Sequence, residues 1–150
     1  MRRSQAVATF ISASLLSACV IAVPGHLYPV EGPLTSVTPV PVYTLRISGI
    51  GNSGTLSAKL DGQPLRGSWS PVAPADPSAN SMAADWDRVY GAGFFTAYVL
   101  GTNIFAHGTL AGQGDTTLAL QFIDSPNDML VRARGVATDN RGNLYKLTFE

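Results

Sequence analysis

Few side chains in this 150-residue sequence stand where they could do chemistry. Cys19 is the only cysteine, so the chain cannot form an internal disulfide, and its one thiol is left as a nucleophile, a ligand or a modification site. His26 and His107 are the only histidines. His107, flanked by Ala106 and Gly108, reads as a strand residue, and one strand histidine with no cysteine or second histidine nearby does not make a zinc site. Asp85 and Asp87 flank Trp86, and paired carboxylates are the raw material of general acid–base catalysis. Two positions apart on a helix they point in different directions, so they do not form such a pair by themselves. Asp85, Trp86 and Asp87 therefore stand only as binding candidates. Arg132 and Arg134 share one strand face and are candidates for an acidic ligand or wall polymer, although such arginines are ordinarily solvated. The Gly-rich "GIGNSG", Gly49 to Gly54, lacks the following helix that a phosphate-cradling loop requires and reads as a hairpin loop. No serine sits in a nucleophile-elbow pattern. The expectation is a protein that is not an enzyme, with no metal and no cofactor.

The position of Cys19 is more informative than its reactivity. Arg2 and Arg3 open the chain, and Ala6 to Ala18 is uncharged and mostly apolar. As a helix those residues would reach about 20 Å, short of the roughly 30 Å hydrocarbon core of a bilayer. A cationic start, a short apolar run and small residues before a cut form the layout of a secretory signal peptide. Counted through Val23 the apolar run lengthens, and an uncleaved anchor becomes an alternative. Ordinary cleavage with an incidental cysteine is another. Leu16-Ser17-Ala18-Cys19 resembles the lipobox of bacterial lipoproteins. That resemblance implies that residues 1–18 are removed, that the Cys19 thiol carries a diacylglyceryl group, and that the new amine is usually acylated. The membrane is then a partner through the N-terminal lipid, held far more firmly than by one chain. By the same resemblance, Val20 in place of an aspartate favours the outer over the inner membrane of a two-membrane bacterium.

Residues 24–41 carry five of the ten prolines and are expected to form an extended tether, with "LYPVEGPL" apolar enough to dock on the domain instead. From residue 42 the pattern changes to period-2 alternation, as in Tyr43-Leu45-Ile47, Leu56-Ala58-Leu60, Leu65-Gly67-Trp69, Leu118-Leu120-Phe122, Val131-Ala133 and Tyr145-Leu147-Phe149. Asp61-Gly62, Ala111 to Asp115 and Asp139 to Asn143 read as turns between them. The expected domain, 42–150, is all-β: seven or eight antiparallel strands in a small barrel or a sandwich, with one short helix. That helix is placed over Ser81 to Tyr90, with Met82, Trp86 and Val89 or Tyr90 on one side, as a plug over an open end of the sheet structure.

The leader, "LYPVEGPL", "SGTLSAKLDGQPLRGSWS", "DWDRVYGAGFFTAYVLG" and "GVATDNRGNLYKL" together resemble a family of small bacterial lipoproteins with no assigned activity. The resemblance implies an address and a fold, not a reaction. Composition narrows the partners. Only 13% of residues are charged, against about a quarter in an average domain. Without residues 1–18, 8 basic residues face 10 acidic ones, so a nucleic-acid partner has no electrostatic support. The expectation is a lipid-anchored envelope protein acting as a structural or binding module, with an envelope protein or polymer as its possible partner. The alternatives are a cell-envelope hydrolase and a small transmembrane β-barrel.

Overall fold

The computed structural model describes residues 22–49, 53–73, 75–102, 105–123 and 133–149. Eight antiparallel strands follow one another around a closed ring: β1 (Ala22–Glu31), β2 (Tyr43–Gly49), β3 (Gly54–Leu60), β4 (Gln63–Pro71), β5 (Phe105–Ala111), β6 (Thr117–Ile123), β7 (Arg134–Asp139) and β8 (Leu144–Phe149). Each strand pairs with its sequence neighbour, and β1 pairs with β8 to close the barrel. The choice between barrel and sandwich is thus decided for the barrel. Full closure leaves no strand edge exposed.

The alternating residues point where period 2 sends them. Leu27, Leu45, Ile47, Leu56, Leu65, Leu118, Leu120, Phe122, Tyr145 and Leu147 fill the interior, each at most 2% exposed. Thr44, Arg46, Lys59, Arg66 and Ser68 line the outer wall of β2, β3 and β4 in solvent. An eight-stranded ring is only just wide enough for its own side chains. Large residues therefore meet small ones across it. Gly108 pairs with both Trp69 and Leu120, Gly67 with Leu56 and Leu110, and Gly135 with Phe122 and Leu147.

The tether is the first correction. Ala22–Glu31 is a full barrel strand, so the domain begins by residue 22 rather than at 42, and His26 lies on its outer wall. Val23, Gly25 and Leu27 face inward while Pro24, His26 and Tyr28 face outward. Glycine and proline in both sets hide this alternation in the sequence. The prolines occupy tolerant places. Pro24 lies beyond the β8 ladder, which starts at Gly25–Phe149, and Pro29 sits at a bulge where that ladder shifts register. Residues 32–42 then form the irregular link to β2, including a 3-10 turn, Pro33–Ser36. Residues 1–21, with Cys19, lie outside the described residues, as does Arg132.

The one short helix forms as expected, and its expected place as a plug is the second correction. A 3-10 helix, Pro77–Met82, continues into α1 (Ala83–Tyr90), and a π-helical turn, Phe95–Val99, leads back towards β5. This strap does not plug an end. Its Ala79, Met82, Trp86, Phe95 and Val99 pack on Phe105, Ile123 and Val136, the outward residues of β5, β6 and β7. Each of those strands carries one large apolar residue on its outer face, and the strap keeps these three from water. Asp76 caps its start by accepting from the Ser78 N–H at 2.8 Å.

Strand proximity sets a hierarchy among the inward glycines. A methyl at Gly67 would lie 1.7 Å from the Thr109 carbonyl oxygen, which belongs to the backbone, whereas one at Gly108 would meet the movable Leu56 Cδ1 at 2.4 Å. Overpacking costs about 1–3 kcal/mol. Gly108→Ala is expected within that range and Gly67→Ala at or beyond its upper limit. Urea unfolding of the two variants checks this, and equal costs would contradict the backbone collision.

Candidate functional site

Two polar constellations stand out on the finished fold, one under the strap and one at a mouth of the barrel. Under the strap, Gln121 occupies an outward position of β6 and is fully buried. Its carbonyl accepts from Trp86 Nε1 at 3.0 Å. Its amide nitrogen donates to Ser81 Oγ at 3.1 Å and to the Ser78 and Ala79 carbonyls at 3.4 Å. One side chain thus satisfies the buried indole of α1 and fastens the 3-10 helix through Ser78, Ala79 and Ser81. Tyr90 adds a second attachment, its hydroxyl donating to the Gly135 carbonyl at 3.0 Å, and burial pushes that hydroxyl up to about 12. Trp86, Tyr90, Phe94 and Tyr98 stack in succession with ring centroids 5.5, 4.7 and 5.0 Å apart. Lys146 Nζ lies 5.6 Å from the Tyr90 ring centre.

The expected binding residues are distributed through this strap. Asp85 accepts a hydrogen bond from Arg88, whose other nitrogen reaches Glu31 at 2.8 Å and ties the helix to β1. Asp87 accepts from the Gly93 and Phe95 N–H groups at 3.1 and 2.9 Å, capping the π-helical turn. Trp86 is held by Gln121. The three share α1 but point to different partners and do not converge. Arg134 opens β7 in solvent, close enough to act electrostatically on Tyr90. His26 and His107 stand on β1 and β5, four strands apart around the ring. Among the described residues no three His, Cys, Asp or Glu side chains come together as metal ligands.

The second constellation closes the mouth formed by the β3–β4, β5–β6 and β7–β8 turns. Asp139, an inward residue of β7, is 9% exposed. Its carboxylate accepts from the Arg141 and Asn143 N–H groups at 3.0 and 2.9 Å, from Asn143 Nδ2 at 2.9 Å and from the Tyr145 hydroxyl at 2.7 Å. Burial raises the Asp139 carboxyl, but these four donors outweigh it and hold the group below the ordinary aspartate value. Asn143 Oδ1 accepts from the Leu34 N–H at 2.9 Å, fastening the β1–β2 link over the mouth. Around this centre Tyr43 donates to Asp61 at 2.5 Å, while Arg141 spans Asp61 and Thr116 at 2.6 Å each. Burial, then the Asp61 carboxylate, pushes the Tyr43 hydroxyl up to about 12.

Neither constellation was legible beforehand. Gln121 stands where a wet-face residue of an alternating strand would stand, so nothing local marks it as buried. "DNRGN" reads correctly as a turn, and Asp and Asn at turns do bind local N–H groups. The reach from that turn to Tyr145, Leu34 and Asp61 follows only from closure. Comparison with protein-family models, with curated proteins and with solved structures gives no match to this chain.

Two expectations follow. Asp139 contributes stability above the ordinary aspartate pKa of about 3.9 that is lost as pH falls below it. Asp139→Asn is expected to cost about 1.5–3 kcal/mol at pH 7, with the gap in Tm from the native chain narrowing towards pH 3. A gap independent of pH would refute that role. Gln121→Leu is expected to cost about 1–3 kcal/mol by orphaning the buried Trp86 Nε1. In a double-mutant cycle with Trp86→Phe, the two should couple by about 1 kcal/mol, and strict additivity would mean that their hydrogen bond does not hold the strap.

Proposed function

We propose that this chain is a lipid-anchored envelope protein whose barrel acts as a structural or binding module. The observation that carries the reading is Leu16-Ser17-Ala18-Cys19 at the end of a cationic and apolar leader, three residues before a folded domain starts at Ala22. Cleavage before Cys19 would remove the leader and leave the barrel complete, because β1 lies wholly beyond the cut. Acylation would consume the only thiol, leaving a chain with no cysteine to mispair in an oxidising compartment. Val20 after the cysteine favours the outer membrane.

The distribution of polarity supports an anchored domain over a membrane-spanning barrel. A spanning barrel turns an apolar band to lipid and a polar face inward. Here leucines and aromatics fill the interior, while Arg46, Lys59 and Arg66 stand on the outer wall. A binding or bracing role is favoured over hydrolysis because the carboxylates of the strap are already engaged, Asp85 with Arg88 and Asp87 with two backbone N–H groups. A packed interior likewise leaves contact with partners to the rims and the outer wall, where an envelope protein or polymer would be met.

Labelling growing cells with an alkyne-bearing fatty acid tests the anchor. The native chain is expected to take up label and to fractionate with the outer membrane, and Cys19→Ala to lose both. A native chain that remains unlabelled and soluble in the periplasm would overturn the reading.

A further inference from the structure

The barrel has two unlike rims. One is the mouth closed by Asp139, where Glu31, Asp61, Asp115 and Arg141 gather at the turns and strand ends. The other is formed by the first residues of β1, β5 and β7 and the last of β4, β6 and β8. The register joins these strand ends into one ring: Ala22 pairs with Ser48, Gly25 with Phe149, Ile123 with Arg134 and with Phe105. The strap returns to this second rim, since its Phe95 ring meets Phe105 edge-on at 6.5 Å and the chain enters β5 there. In the short stretch of chain between Phe95 and that entry come two of the exposed large apolar side chains, Tyr98 at 62% and Leu100 at 37%. Tyr98 is the free end of the aromatic stack that begins at buried Trp86.

Resting on the lipid-anchor reading above, the geometry points to an orientation: the rim of Ala22 lies on the bilayer surface, with Tyr98 and Leu100 seated in its interface. The length of chain between anchor and barrel carries this. A tether through residue 41 would have let the domain stand some tens of ångströms away. With β1 starting at Ala22, only Val20 and Ile21 separate it from Cys19, and the three steps between Cα atoms reach about 10 Å at full extension. A cysteine whose acyl chains enter the hydrocarbon sits in the headgroup layer, so the rim it precedes meets that layer as well. A tyrosine with an apolar ring and a polar tip suits such an interface. Tyr98 and Leu100 supply a second contact away from the anchor, which fixes the tilt of the barrel. The mouth with Asp61 and Arg141 then faces away from the membrane, as do Val37, Val40 and Val42 on the β1–β2 link.

A polarity-sensitive dye placed at either rim tests the orientation. Acylation blocks the Cys19 thiol, so Tyr98→Cys or Val37→Cys gives a single labelling site in the full lipidated protein. Each labelled chain is reconstituted into vesicles of phosphatidylethanolamine and phosphatidylglycerol containing a spin-labelled quencher lipid. The dye at position 98 is expected to shift to the blue and be quenched severalfold more than the dye at position 37. Leu100→Cys repeats the test should the first variant not fold. Equal quenching at both positions, or stronger quenching at 37, in chains that float with the vesicles would overturn the orientation while leaving the anchor standing. The mass of the N-terminal peptide separates the two failures: an unmodified Cys19 overturns the anchor and the orientation with it.

Discussion

The pairing of β1 with β8 turns a curled sheet into a barrel, and the rest of the structure answers to it. Once the ring is closed at eight strands, its width is set, and the interior admits little more than its own side chains. Leu27 and Leu147 meet across this last seam, and Gly25 lies against Phe149. The inward glycines on β1, β4, β5 and β7 are consequences of that width. So is the packed interior of leucines and aromatics, which leaves chemistry and recognition to the outer wall and the two rims.

Closure gives the strap its site. The outer faces of β5, β6 and β7 carry Phe105, Ile123 and Val136, which a solvent-facing wall could not display together without cost. The segment between β4 and β5 is long enough to fold back over them. Hydrophobic contact alone would let it slide. Gln121 fixes it by offering both its acceptor and its donor to one narrow stretch of the strap, and Arg88 ties the far end of α1 to Glu31 on β1. The carboxylates that looked available for chemistry serve as fastenings within the same device.

The Asp139 mouth works by the same logic at a different place. A carboxylate on the inward face of a barrel strand would be costly unless its acceptor sites were filled. Two backbone N–H groups, an amide and a phenol fill them. Because those donors come from the β7–β8 turn and from β8, the network also fixes the turn. Asn143 extends it to Leu34, and Arg141 to Asp61 and Thr116, so three turns and the β1–β2 link are fastened at one end. One rim is thereby fastened and charged.

Local chemistry in the sequence determined the all-β class, most of the strands, the Asp61-Gly62 turn and the apolar side of α1. Each depends on neighbours a few positions apart, which periodicity reports. Asp61 and Gly62 both take positive φ, 48° and 82°, as a tight hairpin turn demands. What depended on residues far apart in the chain stayed hidden. Ala22–Glu31 looks like a linker because proline and glycine blur its alternation, and it becomes a strand by pairing with β2 on one side and, on the other, with β8 more than a hundred residues later. Gln121 looks like a wet residue because the strap that buries it starts some forty positions earlier. That Asp85 and Asp87 diverge on a helix is legible from their spacing, but their partners, Arg88 and the Gly93 and Phe95 N–H groups, and Gln121 for Trp86, are not. The tertiary structure decided these points because burial and hydrogen-bond partnership are properties of the closed ring, and no short window of sequence contains the ring.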